Sequence, residues 1–79
     1  MTEINKALGQ VLIKYRTLAK ISQEELADRA GIHRTYVSQI ERGLKSPTLS
    51  VLFRISQSLN TTASVLIAEV ERALYDIHY

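Results

Sequence analysis

The side chains best suited to molecular recognition lie in the middle of the chain, where four of them carry hydrogen-bonding groups at helical spacing. They are Arg34, Thr35, Ser38 and Gln39. On an α-helix these positions share one face, opposite the apolar residues Val37 and Ile40. A guanidinium, a carboxamide and hydroxyl groups can distinguish the base edges in the major groove of double-stranded DNA. The segment from about Arg34 to Glu41 therefore predicts a helix that reads DNA bases.

The residues before this helix predict a second helix and a tight turn that joins the two. Ser22 followed by Glu25 forms a capping box, in which each side chain satisfies a backbone N–H of the other at a helix start. Ala27 is small enough to let two helices cross closely, and Gly31 accepts the left-handed backbone that ends a helix. With Gly43 ending the reading helix, these residues predict a helix-turn-helix unit.

Three further helices are predicted around this unit, so the predicted fold class is all-α: a compact five-helix bundle forming one domain over residues 1–79. Apolar residues at helical spacing indicate a first helix from about Glu3 to Ala19, and Thr48 or Ser50 can cap a fourth helix. The apolar residues are Ile4, Leu8, Val11, Leu12, Tyr15 and Leu18 in the first helix, and Leu49, Leu52, Phe53, Ile55 and Leu59 in the fourth. The last helix, about 62–77, carries Val65, Leu66, Ile67, Val70, Ala73, Leu74 and Ile77.

The short length of the chain limits how much its apolar core can stabilise the fold. A 79-residue domain has a small core, which often relies on metals, disulfides or a partner subunit. Disulfides and thiolate sites are excluded because the sequence has no cysteine, and neither His33 nor His78 has a ligand-spaced neighbour, so we expect no metal and no cofactor. We therefore expect a homodimer formed by the last two helices, with Val65, Leu66, Val70 and Leu74 in its interface.

Charge and hydropathy indicate the kind of partner. The first 47 residues carry eight basic and five acidic side chains, a net charge of +3, whereas the remainder carries −1. This distribution favours the N-terminal part as a phosphate-facing surface. We expect no membrane span or secretory signal, and hence a cytoplasmic location, because the sequence lacks a long apolar run and a charged leader.

Enzymatic chemistry finds no support in the sequence. It contains neither a nucleophile placed with its base, nor paired carboxylates, nor a glycine loop that cradles phosphate. We therefore expect that the protein is not an enzyme and has no small-molecule substrate. His33 is interpreted as a cap of the reading helix or as a phosphate-facing residue rather than as a catalytic base.

The segment from Ser22 to Gly43, followed by Pro47, closely resembles the phage-repressor-like (Xre/Cro) helix-turn-helix family. The resemblance extends over about residues 12–59 and implies a repressor-like fold and a sequence-specific DNA-binding regulator of transcription. The brief first helix, the His-Arg-Thr-Tyr start of the reading helix and the single extra C-terminal helix are most similar to the controller proteins of restriction-modification systems. That similarity implies a dimer that binds a palindromic operator and acts as both activator and autorepressor.

The resemblance also implies roles for individual positions. Arg34, Thr35, Ser38 and Gln39 match base-facing positions, and Arg34 is best suited to guanine. The positions that match phosphate contacts are Gln23, Tyr36, Arg42, Lys45 and Ser46. Arg16 and Glu41 match an internal ion pair that ties the first helix to the reading helix.

Three alternatives stay open. The family commonly has glycine where this chain has Lys20, so either lysine adopts a left-handed backbone there, at about 1 kcal/mol, or the turn differs. Glu24 and Asp28 either stabilise their helix through its dipole or contact RNA polymerase, as acids at these positions do in activators of the family. The chain could also be an antitoxin-type interaction module that binds another protein through its terminal helix.

Overall fold

The computed structural model describes residues 3–75 as five α-helices joined by short turns, with no strand in that range. They are α1 (Glu3–Ala19), α2 (Gln23–Ala30), α3 (Arg34–Glu41), α4 (Leu49–Ser58) and α5 (Ala63–Tyr75). The predicted all-α, five-helix fold is confirmed. The predicted contribution of Ile77 to the last helix falls outside the described residues.

The starts and ends of the central helices follow from local capping. The Ser22 hydroxyl accepts a hydrogen bond from the Glu25 N–H at 3.0 Å, which confirms one half of the predicted capping box. The Glu25 carboxylate accepts a hydrogen bond from Arg29 instead of turning back to the helix start, so the other half of that prediction is wrong. Gly31 ends α2 with φ 68°, in the left-handed region that favours glycine.

The caps of α3 and α4 separate two further predictions. Thr48 caps α4, since its hydroxyl accepts from the Val51 N–H at 3.2 Å. His33 occupies the position before α3, but its side chain makes no capping hydrogen bond. His33 is therefore the N-cap residue of α3, as predicted, but it caps the helix without a side-chain hydrogen bond. A phosphate-facing role stays a prediction.

The core lies where all five helices meet. Its fully buried side chains include Leu12, Leu26, Val37, Ile40, Ile55 and Leu66, so each helix contributes at least one of them. Helix α1 approaches α3 most closely at Gly9, where an added Cβ would lie 2.4 Å from the Glu41 carbonyl oxygen and 2.7 Å from that of Ile40. Only glycine permits this backbone contact, which brings α1 against the C-terminal end of α3.

The apolar faces predicted for α1 and α4 are wrong at several positions. Ile4 and Leu18, which lie near the two ends of α1, are 57% and 67% exposed. Leu49 and Phe53 are 71% and 50% exposed, whereas Val51, which was not assigned to the apolar face, is buried. In α4 the core covers the face centred on Leu52, Ile55 and Leu59, and the side that carries Leu49 and Phe53 stays open.

Helix α5 corrects the predicted dimer interface. Leu66 and Val70 are 0% and 4% exposed within the single chain, so they have no surface for a partner subunit. Leu74 is half-buried and packs against the same core. Of the four predicted interface residues, only Val65 is exposed, at 42%. The apolar residues of α5 cover a wide part of the helix surface, because they include both the face that packs into the core and the open edges of that face.

Polar contacts fix α5 to α1 away from the core. The Glu69 carboxylate accepts hydrogen bonds from Lys14 Nζ at 2.8 Å and from the Tyr15 hydroxyl. The bond from Lys14, followed by that from Tyr15, holds the pKa of Glu69 below its ordinary value. Bonding to Glu69 raises the pKa of Tyr15. Helix α5 is thus joined to α1 by a carboxylate that stays ionised at neutral pH.

Candidate nucleic-acid interface

Helix α3 divides its side chains between the core and the solvent as the sequence predicts. Val37 and Ile40 are each 1% exposed, and they dock the helix on the other four. Arg34 and Thr35 are exposed on the opposite face, while Ser38 and Gln39 are half-buried beside them. The four candidate base-reading residues therefore share one accessible surface, and its most open part is the N-terminal turn of α3.

A buried carboxylate at the other end of α3 joins three helices. Glu41 is 6% exposed, and it receives Arg16 Nε on Oε2 at 2.7 Å and Arg16 Nη2 on Oε1 at 3.1 Å. This bidentate pair confirms the predicted tie between α1 and α3. Arg16 also donates from Nη1 to the Ile21 carbonyl oxygen at 3.1 Å, so the turn before α2 is fixed by the same guanidinium.

Gln23 belongs to this network, which the sequence did not reveal. Its Nε2 donates to Glu41 Oε1 at 2.8 Å, so the first residue of α2 is bonded to the last residue of α3. The prediction assigned Gln23 to a phosphate alone. A carboxamide nitrogen carries two N–H groups, so one can bind Glu41 while the other donates to a phosphate. The residue types were compatible with this bond, but only the crossing of α2 and α3 brings them together.

The remaining predicted phosphate contacts lie on the loop that follows α3. Arg42, Lys45 and Ser46 are exposed. Tyr36 is half-buried against the core, and its hydroxyl donates to the Ser46 carbonyl oxygen at 3.4 Å. Tyr36 thus supports the loop that carries the candidate phosphate contacts, a role that the prediction did not include. Leu44, 49% exposed in the same loop, was also not singled out from the sequence.

The ion pairs within residues 3–75 separate two groups of basic side chains. Lys14, Arg16 and Arg29 are paired with Glu69, Glu41 and Glu25. Within the same residues, Arg34, Arg42 and Lys45 have no acidic partner. The positive charges along α3 and its following loop are therefore available to an anionic surface.

The two acidic residues considered as RNA polymerase contacts lie on the surface of α2. Glu24 and Asp28 are exposed on α2 and have no ion-pair partner in the described part of the chain.

Residues 3–75 contain no cluster of three or more side chains that could hold a metal ion. None of the five helices is long and apolar enough to cross a membrane.

Comparison with known proteins gives consistent matches. The helix-turn-helix family model HTH_3 matches residues 12–66. Control protein C.SmaI of Serratia marcescens is 37% identical over 65 residues, which are 82% of this chain and 77% of that protein. Control protein C.MunI of a Mycoplasma species is 36% identical over 73 residues, which are 91% of this chain and 99% of that protein. Two other curated relatives are longer, and the chain spans 41% of their length.

The solved structures agree with these matches. The crystal structure of the restriction-modification controller protein C.AhdI from Aeromonas hydrophila superposes with a TM-score of 0.77 at 32% sequence identity. The superposition covers 78% of this chain and 94% of that one. The family match over residues 12–66 includes α2, α3, the loop that follows α3 and α4.

Removing the buried carboxylate is expected to cost far more stability than removing an exposed one. Glu41→Ala leaves Arg16 and Gln23 without their acceptor, so the free energy of unfolding should fall by about 3 kcal/mol. Glu25→Ala is the matched control, because it also breaks an Arg–Glu pair but at an exposed site, and should cost about 0.5 kcal/mol or less. Urea denaturation of both variants tests this prediction. Equal losses would show that the buried network does not determine stability.

Proposed function

The chain belongs to the HTH_3 helix-turn-helix family, and on this basis we propose that it is the controller protein of a restriction-modification system, binding a palindromic operator as a dimer. Members of this family that resemble it are DNA-binding regulators of transcription. The observation that carries the proposal is the exposed face of α3, where Arg34 and Thr35 project from a helix that Val37 and Ile40 anchor in the core. Such a helix fits the major groove with its N-terminal turn towards the bases.

Base reading is assigned to the N-terminal half of α3. The guanidinium of Arg34 can donate two hydrogen bonds to the O6 and N7 atoms of a guanine, and Thr35 offers a hydroxyl and a methyl group. Ser38 and Gln39 are less exposed and lie one turn further along the helix. Gln23, Tyr36, Arg42, Lys45 and Ser46 then hold the helix in register by contacts with the phosphates.

Dimerisation is assigned to the open edges of α4 and α5 rather than to Leu66, Val70 and Leu74, the interface residues that the sequence suggested. Leu49 and Phe53 lie one turn apart on α4, and Val65 and Ile67 are 42% and 40% exposed on α5. The two helices pack against each other, and Val65 and Ile67 lie on the two edges of α5 that flank the buried Leu66. An isologous dimer through these open edges would present two copies of α3 to successive major-groove segments of a palindrome.

We assign regulation in both directions to this dimer on the basis of the resemblance to controller proteins. A first dimer bound beside a promoter can assist transcription, and a second dimer bound next to it at higher concentration can block it. Access to DNA requires a cytoplasmic location in a bacterial cell. The exposed acids Glu24 and Asp28 are assigned to RNA polymerase. They project from α2, which packs against the reading helix, and neither residue is assigned to a base contact.

The second candidate function is that of an antitoxin-type module, in which another protein covers the exposed apolar residues of α4 and α5. It is favoured by the 50% exposure of Phe53. The two functions differ in which variant abolishes activity. Arg34→Ala should have little effect on sequestration of a protein, whereas it should impair sequence-specific DNA binding.

Loss of the Arg34 guanidinium should relax specificity at one base pair of each half-site. We expect Arg34→Ala to cost about 1–3 kcal/mol of discrimination at that pair, because two hydrogen bonds to guanine are lost. Lys45→Ala, the matched control on the following loop, should weaken binding to all sequences and reduce the salt dependence by about 0.9 units of slope for each subunit bound. Titration of both variants against single-base operator variants checks this expectation. Uniform weakening by Arg34→Ala would contradict base reading by this residue.

A charge at the exposed edge of α4 should break the dimer without unfolding the chain. Phe53→Lys would bury an unpaired ammonium in the interface, so we expect the mass of one chain at micromolar concentrations, where the wild type has the mass of two. Ile13→Lys is the control, because Ile13 is 40% exposed but lies on α1. Sedimentation equilibrium with circular dichroism distinguishes dissociation from unfolding. A monomeric wild type, or a dimeric Phe53→Lys variant, would rule out this interface.

Activation should depend on the two exposed acids of α2 even though they contact no base. Replacement of both Glu24 and Asp28 by alanine should abolish activation of the target promoter and leave operator affinity unchanged. In vitro transcription together with operator titration separates the two effects. Unchanged promoter output from the double variant would remove RNA polymerase from the set of proposed partners.

A further inference from the structure

Lys20 has a backbone conformation that lysine rarely adopts. It follows α1 with φ 60°, in the left-handed region. Its N–H donates to the Thr17 carbonyl oxygen at 3.1 Å, and the Ile21 N–H donates to that of Arg16 at 3.3 Å. These two bonds form a Schellman motif, in which glycine is the favoured residue because it lacks a Cβ. The left-handed alternative for this turn is confirmed, and the chain carries a strained residue where glycine would be more stable.

The side chain of Lys20 does not offset this strain within the fold. It is exposed, and it has no ion-pair partner among residues 3–75. The apolar contact that accompanies such a turn comes from the next residue, Ile21, which is 9% exposed. Strained residues persist only where the surrounding structure holds them, and they cluster at functional sites, so the position of this ammonium is informative.

The turn is held in a fixed place beside the reading helix. Arg16 Nη1 donates to the carbonyl oxygen of Ile21, the residue after Lys20, and the same guanidinium binds Glu41 at the end of α3. Gln23, three residues after Lys20, is bonded to Glu41 as well. The backbone of Lys20 is thus connected to the C-terminal end of α3 by two separate routes. With α3 in a groove, as the proposed function requires, we expect this turn to lie near the DNA strand that borders the groove at the C-terminal end of α3.

We propose that Lys20 is a further DNA contact, whose ammonium binds a phosphate next to the phosphate at Gln23. The proposal rests on the proposed function, since it concerns the same DNA surface. It extends that surface from α2, α3 and the loop after α3 to the turn between α1 and α2. Lysine at this position lowers the stability of the fold and raises the affinity for DNA. One substitution should therefore change the two properties in opposite directions.

Two variants of Lys20 separate the charge from the backbone. Lys20→Gln removes the charge but keeps a side chain that is strained in this conformation. Lys20→Gly removes both, so its thermal unfolding midpoint should rise by about 4 °C. Both variants should bind the operator several-fold more weakly than the wild type. The slope of log affinity against log salt concentration should become less steep by about 0.9 for each subunit bound, because one phosphate contact is lost.

Two controls are needed. One removes a positive charge elsewhere on the surface, and the other places glycine at another left-handed position. Arg72→Gln removes an exposed positive charge from α5, which packs mainly against α1 and α4 and carries none of the proposed DNA contacts, so the salt slope should stay unchanged. Asn60→Gly relieves the other left-handed non-glycine residue among residues 3–75, with φ 58°, and should leave operator binding unchanged.

Titrations of all variants at several salt concentrations test the contact, with a duplex that the wild-type chain selects from a random pool as the probe. A shallower slope for both Lys20 variants, with wild-type slopes for the controls, supports the contact. Wild-type affinity and slope in Lys20→Gln overturn it and leave the proposed function intact. If the wild-type chain binds no duplex, the proposed function is wrong, and this inference is wrong with it.

Discussion

The arrangement of the helices depends on one buried carboxylate. Glu41 lies at the end of the reading helix and is 6% exposed, so its charge would be costly without close partners. Arg16 supplies two hydrogen bonds and Gln23 a third, and these donors belong to α1 and α2. The contact of Gly9 with the Ile40 and Glu41 carbonyl oxygens brings α1 close enough for this bonding. The orientation of α3 is therefore fixed by directional polar bonds in addition to the non-directional burial of Val37 and Ile40.

A reading helix needs this kind of support because base recognition depends on geometry. A hydrogen bond from Arg34 to a guanine tolerates little displacement, and α3 is only eight residues long. The network at Glu41 holds its far end, and the Tyr36 hydroxyl holds the loop that follows. The basic side chains divide accordingly: Arg16 serves the interior of the molecule, whereas Arg34, Arg42 and Lys45 remain unpaired within residues 3–75. The same framework carries the strained turn at Lys20.

Local features of the sequence predicted most of the fold. The bounds of α1 and α3 agree with the prediction, and α2 lies between its predicted caps Ser22 and Gly31, because apolar spacing and capping act over a few residues. The pairing of Arg16 with Glu41 was accessible only through resemblance, and the bond from Gln23 was not accessible at all, because it depends on how α2 crosses α3. The same limit explains Leu66 and Val70. A wide apolar stripe indicates that a helix is largely covered, but its pattern does not tell which part faces its own core and which part remains open for a second chain.

We propose that α3 reads a palindromic DNA sequence as part of a dimer. The most direct test is selection of bound duplexes from a random pool by the wild-type chain, repeated at two salt concentrations. We expect one consensus with two inverted half-sites, their centres about one helical turn apart, retained when the salt concentration is raised. Binding that yields no consensus and disappears with salt would contradict the proposal, since the positive surface would then bind phosphates without reading bases.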